Sequence, residues 1–243
     1  MVKVKNRLLD TDLVIYQDDD WFKFSLDSVL LSKFVTINLR HKKIMDLATG
    51  NAPIPMLLSF RTKADIYGIE YQECVYDLAK QSILENGLSE QIHLMRDDVR
   101  EIKSKYQSDS FDVVTCNPPY FKTNNIDFCN DNAVKTLARH EVTLTLDDVL
   151  RQTRYLLRNG GIFAMIHCTD RFVEILDKMK EYHIEPKRIQ FIYPKVGRDS
   201  DLFLIEGIKS GNVGLKLLSP LVVHNEDNTY TDEVLEMLNF DKR

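Results

Sequence analysis

The feature that most constrains the fold is an alternation of short apolar runs with amphipathic helical patterns between about residues 25 and 210. Parallel strands need long crossover connections, so this alternation predicts an α/β fold with a doubly wound, mostly parallel sheet and helices on both faces. Apolar runs predict strands over residues 43–48, 65–70, 91–95, 111–116, 162–167, 187–193 and 202–208, with an edge strand or hairpin over 213–223. Helical periodicity predicts helices over residues 72–85, 147–158 and 171–182, the first stopped by Asn86-Gly87 and the second by Asn159-Gly160-Gly161.

Composition and net charge limit the domain organisation and the kinds of partner that this chain can have. No linker or internal repeat divides the 243 residues. We therefore expect one domain over residues 1–243, with a basic extension over about 1–20 and an acidic tail over about 225–243. No apolar run approaches the roughly 20 residues of a membrane span, which predicts a cytoplasmic protein without a membrane partner. The net charge of −5 argues against a nucleic-acid partner unless the basic residues cluster. Such a cluster is indicated between residues 151 and 199, a segment that contains ten basic residues and six acidic ones.

Cysteine and histidine spacing gives no sign of a metal. The four cysteines contain no C-x-x-C pair, and the histidines share no metal-ligand spacing. We expect neither a metal site nor a disulfide framework. The sequence leaves the oligomeric state open, with a monomer favoured.

A loop of small residues, Asp46-Leu-Ala-Thr-Gly-Asn-Ala-Pro53, follows the first predicted strand. Ligands of such sheets bind beyond the carboxyl ends of the strands, where small residues let the backbone approach a nucleotide-like group. Gly50 is flanked by Ala48 and Ala52. Alanine adopts positive φ only at a cost, so we expect the loop to avoid that region. An ordinary β–α turn is the alternative.

Acidic residues follow the next two predicted strands. Glu70 lies about 20 residues past the loop, where a carboxylate can accept hydrogen bonds from both hydroxyls of a ribose. Asp97-Asp98-Val99 follows the third strand. The Asp98 carboxylate could accept from an adenine amino group, and the Val99 N–H could donate to a ring nitrogen. The alternatives are a surface glutamate and a helix N-cap, which either aspartate could supply.

The most specific motif is Asn117-Pro118-Pro119-Tyr120, directly after the fourth predicted strand. The exocyclic amino group of a base is a poor nucleophile because its lone pair is delocalised into the ring. Two acceptors on its hydrogens, the Asn117 side-chain oxygen and the Pro118 carbonyl, would make the nitrogen more nucleophilic. The prolines fix φ and hold these acceptors in place, and Tyr120 offers a ring on which a flipped base can stack. A structural turn with a packed tyrosine is the alternative.

With the loop, the acidic residue and N-P-P-Y in this order, the chain resembles the class I S-adenosylmethionine-dependent methyltransferases that act on amino groups. It resembles more closely the bacterial tRNA adenine-N6 methyltransferases that modify the purine 3′ of the anticodon in valine tRNA. The closer likeness rests on three segments: Phe22-Lys-Phe-Ser-Leu-Asp-Ser-Val-Leu-Leu31, Ala138-Arg-His-Glu141, and the stretch from Tyr193-Pro-Lys195 to Lys209. It covers about residues 8–223.

The resemblance implies a Rossmann-like methyltransferase sheet, S-adenosyl-L-methionine as cofactor with S-adenosyl-L-homocysteine as product, tRNA as partner and no metal. The implied catalytic residues are those of the N-P-P-Y motif: Asn117, Pro118, Pro119 and Tyr120. The implied cofactor contacts are Asp27, Asp46, Ala48, Gly50, Glu70, Asp98, Val99 and Asn117. The expected RNA contacts are basic or aromatic residues outside the motif: Lys3, Lys5, Arg7, Phe121, Arg139, Lys195 and Arg198. Arg139-His140-Glu141 is expected to shape the loop over the target pocket, and a catalytic base at His140 is the alternative.

One departure from the family pattern bears on the cofactor, because Ala48 and Ala52 replace its usual glycines. Cofactor binding would then be weaker than typical, or the cofactor slightly displaced. Other activities stay open at this point. They are guanine-N2 methylation of ribosomal RNA, glutamine-N5 methylation of a protein, and a non-catalytic RNA- or cofactor-binding module. A DNA substrate is disfavoured because no separate target-recognition domain is evident.

Overall fold

A nine-stranded sheet forms the centre of the computed structural model, which describes residues 3–9, 11–18, 25–118 and 144–240. The strands are β1 (Lys3–Arg7), β2 (Val14–Asp18), β3 (Lys43–Leu47), β4 (Asp65–Glu70), β5 (Ile92–Arg96), β6 (Phe111–Cys116), β7 (Leu157–Cys168), β8 (Ile184–Lys195), β9 (Leu202–Lys209), β10 (Lys216–Leu217) and β11 (Leu221–His224). The helices are α1 (Leu26–Phe34), α2 (Pro53–Ser59), α3 (Glu73–Glu85), α4 (Leu146–Leu156), α5 (Phe172–Glu181) and α6 (Asp232–Leu238), with 3₁₀ turns at Val99–Ser104 and Thr169–Arg171.

The strand order is β10-β8-β9-β7-β6-β3-β4-β5, and β11 also pairs with β8. Within this sheet, β9 is antiparallel to its neighbours β7 and β8, and the other pairs are parallel. The predicted doubly wound, mostly parallel sheet is confirmed. The chain runs outward from β3 to β5 and then returns to β6, so the strand order reverses between β3 and β6. A crevice at the carboxyl ends of these two strands is where such a sheet binds its ligands.

The sheet is buried on both faces. All of β6 is buried, which explains why its sequence is a continuous apolar run rather than an alternating one. One face packs in a core cluster with α1 and α2, through residues such as Val29 and Leu57. The opposite face packs against α4 and α5, through residues such as Leu150 and Met179. Helices on both faces leave the strand ends as the place for a site.

The junction between α4 and β7 differs from the prediction. Helix α4 ends at Leu156 and β7 begins at once with Leu157, so the predicted helix stop at Asn159-Gly160-Gly161 is wrong. Pairing of β6 with β7 is irregular between Phe111 and Val113. Gly160 has φ 78° there, and a Cβ on Gly161 would lie 2.8 Å from the Arg158 carbonyl. The glycines serve an irregular strand rather than a helix end.

Residues 213–223 contain two short strands, β10 and β11, which both lie parallel to β8 and so form no hairpin with each other. In the acidic tail, α6 starts at the N-cap Thr231, whose hydroxyl accepts the Val234 N–H. No helix in the described part of the chain has the length and apolar character needed to cross a bilayer.

The basic N-terminal extension forms an antiparallel hairpin, β1–β2, that docks on α3. The Tyr16 N–H donates to Ser82 Oγ (2.9 Å), and the Val14 N–H donates to Asn86 Oδ1 (2.8 Å). The Asn51 side chain, in the loop after β3, donates to the Tyr16 carbonyl (3.2 Å). The hairpin is thereby fixed to both α3 and this loop.

Candidate active site

The predicted site residues of β3, β4 and β6 share one edge of the sheet. Asp46 in β3 lies opposite Gly68 in β4 and opposite Thr115 in β6. The loop after β3, the carboxylate of Glu70 and the side chain of Asn117 therefore follow three neighbouring strand ends, as the sequence predicts.

The loop between β3 and α2 has a left-handed backbone at three residues. Ala48 has φ 53°, Gly50 has φ 59° and Ala52 has φ 65°, so the expectation that the alanines avoid positive φ is wrong. The surroundings impose this shape: the Thr49 N–H donates to the Ile69 carbonyl, and the Ala52 N–H donates to the Thr49 carbonyl, both at 3.0 Å. A Cβ on Gly50 would have no atom within 4 Å, so open space lies over the loop at this residue.

Replacing Ala48 by glycine is expected to stabilise the protein. An L-residue in the left-handed region costs about 1–2 kcal/mol, of which glycine recovers part after its larger loss of chain entropy. We expect the free energy of unfolding to rise by about 0.5–1 kcal/mol in Ala48→Gly, measured by urea unfolding. Ala52→Gly is the matched comparison, because Ala52 is fully buried and loses a packed methyl group in exchange. A destabilised Ala48→Gly variant would contradict this reading of the loop.

Glu70 ends β4 with its carboxylate against the loop. Oε2 accepts the Gly50 N–H at 3.0 Å, and Oε1 accepts the Gln72 N–H at 2.8 Å. The residue is 6% exposed, which excludes the alternative of a surface glutamate. Burial raises the pKa of Glu70, and these backbone N–H groups oppose that rise. A rigid, ready-made acceptor of hydroxyl hydrogens therefore lies beside the loop.

Asp98 caps the 3₁₀ turn after β5. Its Oδ1 accepts the Arg100 N–H at 2.9 Å, and the Arg100 guanidinium binds both carboxylate oxygens. Arg100 holds the pKa of Asp98 below its usual range. The alternative interpretation of this segment, a helix N-cap, is therefore confirmed, and the capping residue is Asp98 rather than Asp97. Each carboxylate oxygen has two acceptor positions, so a cap can also accept from a ligand.

Tyr71 is a residue that the sequence reasoning missed. It directly follows Glu70 and its side chain is 55% exposed, which is unusual for an aromatic ring at the end of a buried strand. Only its position after the acidic residue could have singled it out. An exposed ring at this strand end can stack on a flat ligand group.

Asn117 follows β6 and is fixed by helix α1. Its Nδ2 donates to Ser28 Oγ at 3.3 Å, and Ser28 is buried in the first turn of α1 beside Asp27. This bond sets the orientation of the amide, whose oxygen is the acceptor that the motif requires. Pro118 is half-buried. Pro119 and Tyr120, the rest of the motif, lie outside the described residues.

Asp46 lies beneath the loop with no exposed surface. Its Oδ2 accepts the Thr49 hydroxyl and its Oδ1 accepts the Thr115 hydroxyl, both at 2.6 Å. Burial raises the pKa of Asp46 to about 7, with the two threonine hydrogen bonds opposing the rise. A direct cofactor contact by Asp46 stays a prediction, since the structure shows both its oxygens holding parts of the site together.

The raised pKa of Asp46 predicts a pH-dependent stability. The folded protein binds this proton more tightly than the unfolded chain, where the pKa is near 3.8. This contribution to the free energy of unfolding is fully present below about pH 4 and is lost as the pH rises through about 7. Thermal unfolding at about pH 5 and about pH 8 should therefore show a larger decrease in Tm for the wild type than for Asp46→Asn. Equal decreases in both proteins would contradict the shifted pKa.

Basic residues predicted to contact RNA are partly engaged within the protein. Lys5 pairs with Glu85, and Arg7 lies 3.8 Å from Asp12. Lys195 Nζ donates to a backbone carbonyl at 3.0 Å, and Arg198 forms no ion pair with the described residues. Phe121, Arg139 and the neighbouring His140-Glu141 lie outside the described part of the chain, as does the side chain of Lys3.

Five of the ten basic residues between residues 151 and 199 form ion pairs with carboxylates of the described chain. They are Arg151, Arg158, Arg171, Lys178 and Arg188. Arg151, Arg171 and Lys178 each pair with a carboxylate three residues away, as is typical of solvated helix faces. Arg158 and Arg188 instead pair across the sheet, with Asp112 and Glu206. Half of the predicted basic cluster is therefore paired with carboxylates of the protein itself.

Comparison with known proteins gives one family and a consistent set of relatives. The family model described as "Methyltransferase domain" matches residues 38–239. A protein of Bacteroides thetaiotaomicron named tRNA1(Val) (adenine(37)-N6)-methyltransferase is 26% identical over 222 residues, covering 90% of this chain and 91% of its own. A protein of Parabacteroides distasonis with the same name is 27% identical over 224 residues, covering 90% of each chain.

Solved structures share the fold. A predicted O-methyltransferase, protein Atu636 from Agrobacterium tumefaciens, superposes with a TM-score of 0.71 at 21% identity, covering 88% of this chain and 96% of that one. Geranyl diphosphate C-methyltransferase from Streptomyces coelicolor, in complex with Mg²⁺, geranyl diphosphate and S-adenosyl-L-homocysteine, superposes with a TM-score of 0.57 at 11% identity. That match covers 75% of this chain and 76% of the other.

Proposed function

Because the chain belongs to the methyltransferase domain family, we propose that it methylates the exocyclic N6 amino group of an adenosine in tRNA, with S-adenosyl-L-methionine as methyl donor. The adenosine is the purine 3′ of the anticodon in valine tRNA. The observation that carries the proposal is Asn117, held by Ser28 at the end of β6 beside the loop and Glu70. The names of relatives at 26% and 27% identity over about nine-tenths of both chains support the same substrate.

The residues of the loop edge fit the cofactor. Open space lies over Gly50, and the buried Glu70 carboxylate offers acceptors to the ribose hydroxyls. Asp98 would accept from the adenine amino group, with the Val99 N–H directed at a ring nitrogen and the Tyr71 ring stacked on the base. Asp27 and the loop from Asp46 through Ala48 to Gly50 would lie near the methionine end. When bound, S-adenosyl-L-methionine supplies a methyl group on a positively charged sulfur.

The target nitrogen is prepared by the N-P-P-Y motif. The Asn117 amide oxygen and the Pro118 carbonyl accept the two N6 hydrogens and so direct the nitrogen lone pair away from the ring, towards the methyl donor. By its fixed φ, Pro119 would hold these acceptors in place, and Tyr120 would stack on the flipped adenine. The chain's main contribution is orientation of the two reactants, with no covalent enzyme intermediate and no step assigned to a metal. The proton is lost to solvent after transfer.

The tRNA contacts would come from basic and aromatic residues outside the N-P-P-Y motif. Phosphates would be bound by Lys195, the last residue of β8, by Arg198 just beyond it, and by the hairpin residues Lys3, Lys5 and Arg7. Phe121 and Arg139 would contact the target loop. A surface ion pair such as Lys5 with Glu85 is weak, so a phosphate can replace the glutamate. We place the protein in the cytoplasm, as a monomer.

A labelling experiment tests the function. An unmodified valine tRNA transcript is incubated with the protein and S-adenosyl-L-methionine labelled in its methyl group, then digested to nucleosides. We expect the label in N6-methyladenosine, and none in a control transcript with guanosine 3′ of the anticodon. Label in 2-methylguanosine would favour the guanine-N2 activity, and label in protein would favour glutamine methylation. Either result would overturn the proposal.

A further inference from the structure

Three residues form a layer across the strands of the site. Thr115 in β6, Asp46 in β3 and Gly68 in β4 are register partners in adjacent strands. Asn117 directly follows β6, two residues after Thr115. The layer therefore joins β6, which directly precedes Asn117, to β4, which ends at Glu70.

The Asp46 carboxylate connects the members of this layer to the loop. One oxygen accepts from Thr115 and the other from Thr49, each at 2.6 Å. Thr49 is itself buried and lies between Ala48 and Gly50. A fully buried carboxylate is costly unless its oxygens are hydrogen-bonded, so both bonds are strongly favoured. Asp46 thus fixes the loop and β6 to each other with a single rigid group.

Gly68 provides the space in which Thr49 reaches Asp46. A Cβ at Gly68 would lie 3.0 Å from Thr49 Cγ2 and 3.1 Å from Thr49 Oγ1, and 2.8 Å from Leu94 Cδ2. The backbone of Gly68 has no positive φ, so any residue could adopt its conformation. A glycine is needed at this position because it has no side chain, and not because of its backbone freedom. It lets the loop fold back over β4 onto Asp46.

We propose that Asp46 is a positioning residue that aligns the two halves of the active site, holding the cofactor loop through Thr49 and the strand of Asn117 through Thr115. This inference rests on the proposed function. Methyl transfer requires the nitrogen, the methyl carbon and the sulfur to lie in line, and a misplacement of about 1 Å can cost about a hundredfold in rate. One buried carboxylate bonded to both sides keeps that spacing constant.

Substitutions of Thr115 and Thr49 test separately the hydrogen bond between Asp46 and β6 and the hydrogen bond between Asp46 and the loop. Thr115→Val removes one hydroxyl without changing the shape, and Thr115→Ser keeps the hydroxyl. We expect Thr115→Val to lower kcat at saturating cofactor and tRNA about tenfold, with the Kd of S-adenosyl-L-homocysteine within about threefold of wild type. Thr115→Ser should restore kcat. Thr49→Val and Gly68→Ala, which act on the loop side, should instead raise that Kd about tenfold, with Thr49→Ser as the conservative rescue.

Two readouts make the outcomes distinct. Calorimetric binding of S-adenosyl-L-homocysteine shows that each variant is folded and measures the loop side without tRNA. A wild-type protein that binds this ligand but does not methylate tRNA would overturn the proposed function. An active wild type whose Thr115→Val variant loses thermal stability but keeps kcat would overturn only the positioning role. Thr49→Val and Gly68→Ala variants with unchanged Kd would likewise contradict it.

Discussion

Replacing Asn117 by alanine is expected to reduce kcat for methylation of valine tRNA by about a hundredfold to a thousandfold, the usual effect of removing one preorganised polar group from a reacting centre. The physical reason is that the hydrogen bond from the N6 amino group to the amide oxygen strengthens as the nitrogen becomes tetrahedral and gains positive charge. The amide is already oriented by its hydrogen bond to Ser28, so ordering this side chain for the reaction costs the wild-type protein little free energy. Alanine removes both the acceptor and this anchor.

The Kd of S-adenosyl-L-homocysteine should stay within about threefold of wild type in Asn117→Ala, because Glu70 and the loop carry most of the predicted cofactor contacts. Calorimetry measures this Kd, and single-turnover labelling measures the methylation rate. Asn212→Ala is the control, since Asn212 is exposed in the segment after β9 and takes no part in the site. Loss of cofactor binding together with turnover would show that the site is misassigned.

The second large effect is expected on the cofactor side. Glu70→Gln keeps the size of the side chain, but it removes the negative charge and leaves one acceptor oxygen for the two N–H groups of Gly50 and Gln72. Hydrogen bonds to a charged acceptor are worth about 1.5–3 kcal/mol, so the Kd of S-adenosyl-L-homocysteine should rise about tenfold to a hundredfold. At saturating cofactor, kcat should remain close to wild type, because Glu70 does not touch the reacting atoms.

A matched control for Glu70→Gln lies three residues further along the chain. Glu73 also pairs through its carboxylate, with Arg96, but its side chain is 69% exposed at the start of α3. Glu73→Gln should leave the Kd unchanged, since surface pairs contribute little. If Glu70→Gln lowers kcat at saturation and leaves the Kd unchanged, Glu70 does not bind the ribose.

Strand positions could be predicted where burial alone sets the pattern. The bounds of β4 and β6 agree with the sequence prediction because both are short apolar runs between polar residues. The start of β7 could not be predicted, because Gly160 and Gly161 are typical of a helix end as well as of an irregular strand. The hairpin β1–β2 was not predicted at all, since its side chains are largely polar and its position depends on Ser82 and Asn86 of α3.

In the candidate site, too, some features could be predicted from the sequence and others could not. The sequence predicts which strand ends carry Glu70, Asp98 and Asn117, because chain order and fold class decide that. It does not predict the φ values of Ala48 and Ala52, because bonds made by Thr49 across two strands override the local preference of alanine. Partners such as Arg100 for Asp98 are set by side-chain packing, which has no periodicity to detect.

The N-terminal hairpin has a consequence for the order in which the chain folds. Its anchors on α3 span 66 and 72 positions of sequence, so it can dock only after α3 exists. On the ribosome the hairpin residues emerge before α3, yet they must wait for Ser82 and Asn86 to leave the exit tunnel. We therefore expect the beginning of this chain to be among the later parts of the molecule to reach its native place, and to close over the loop bearing Asn51 when it does.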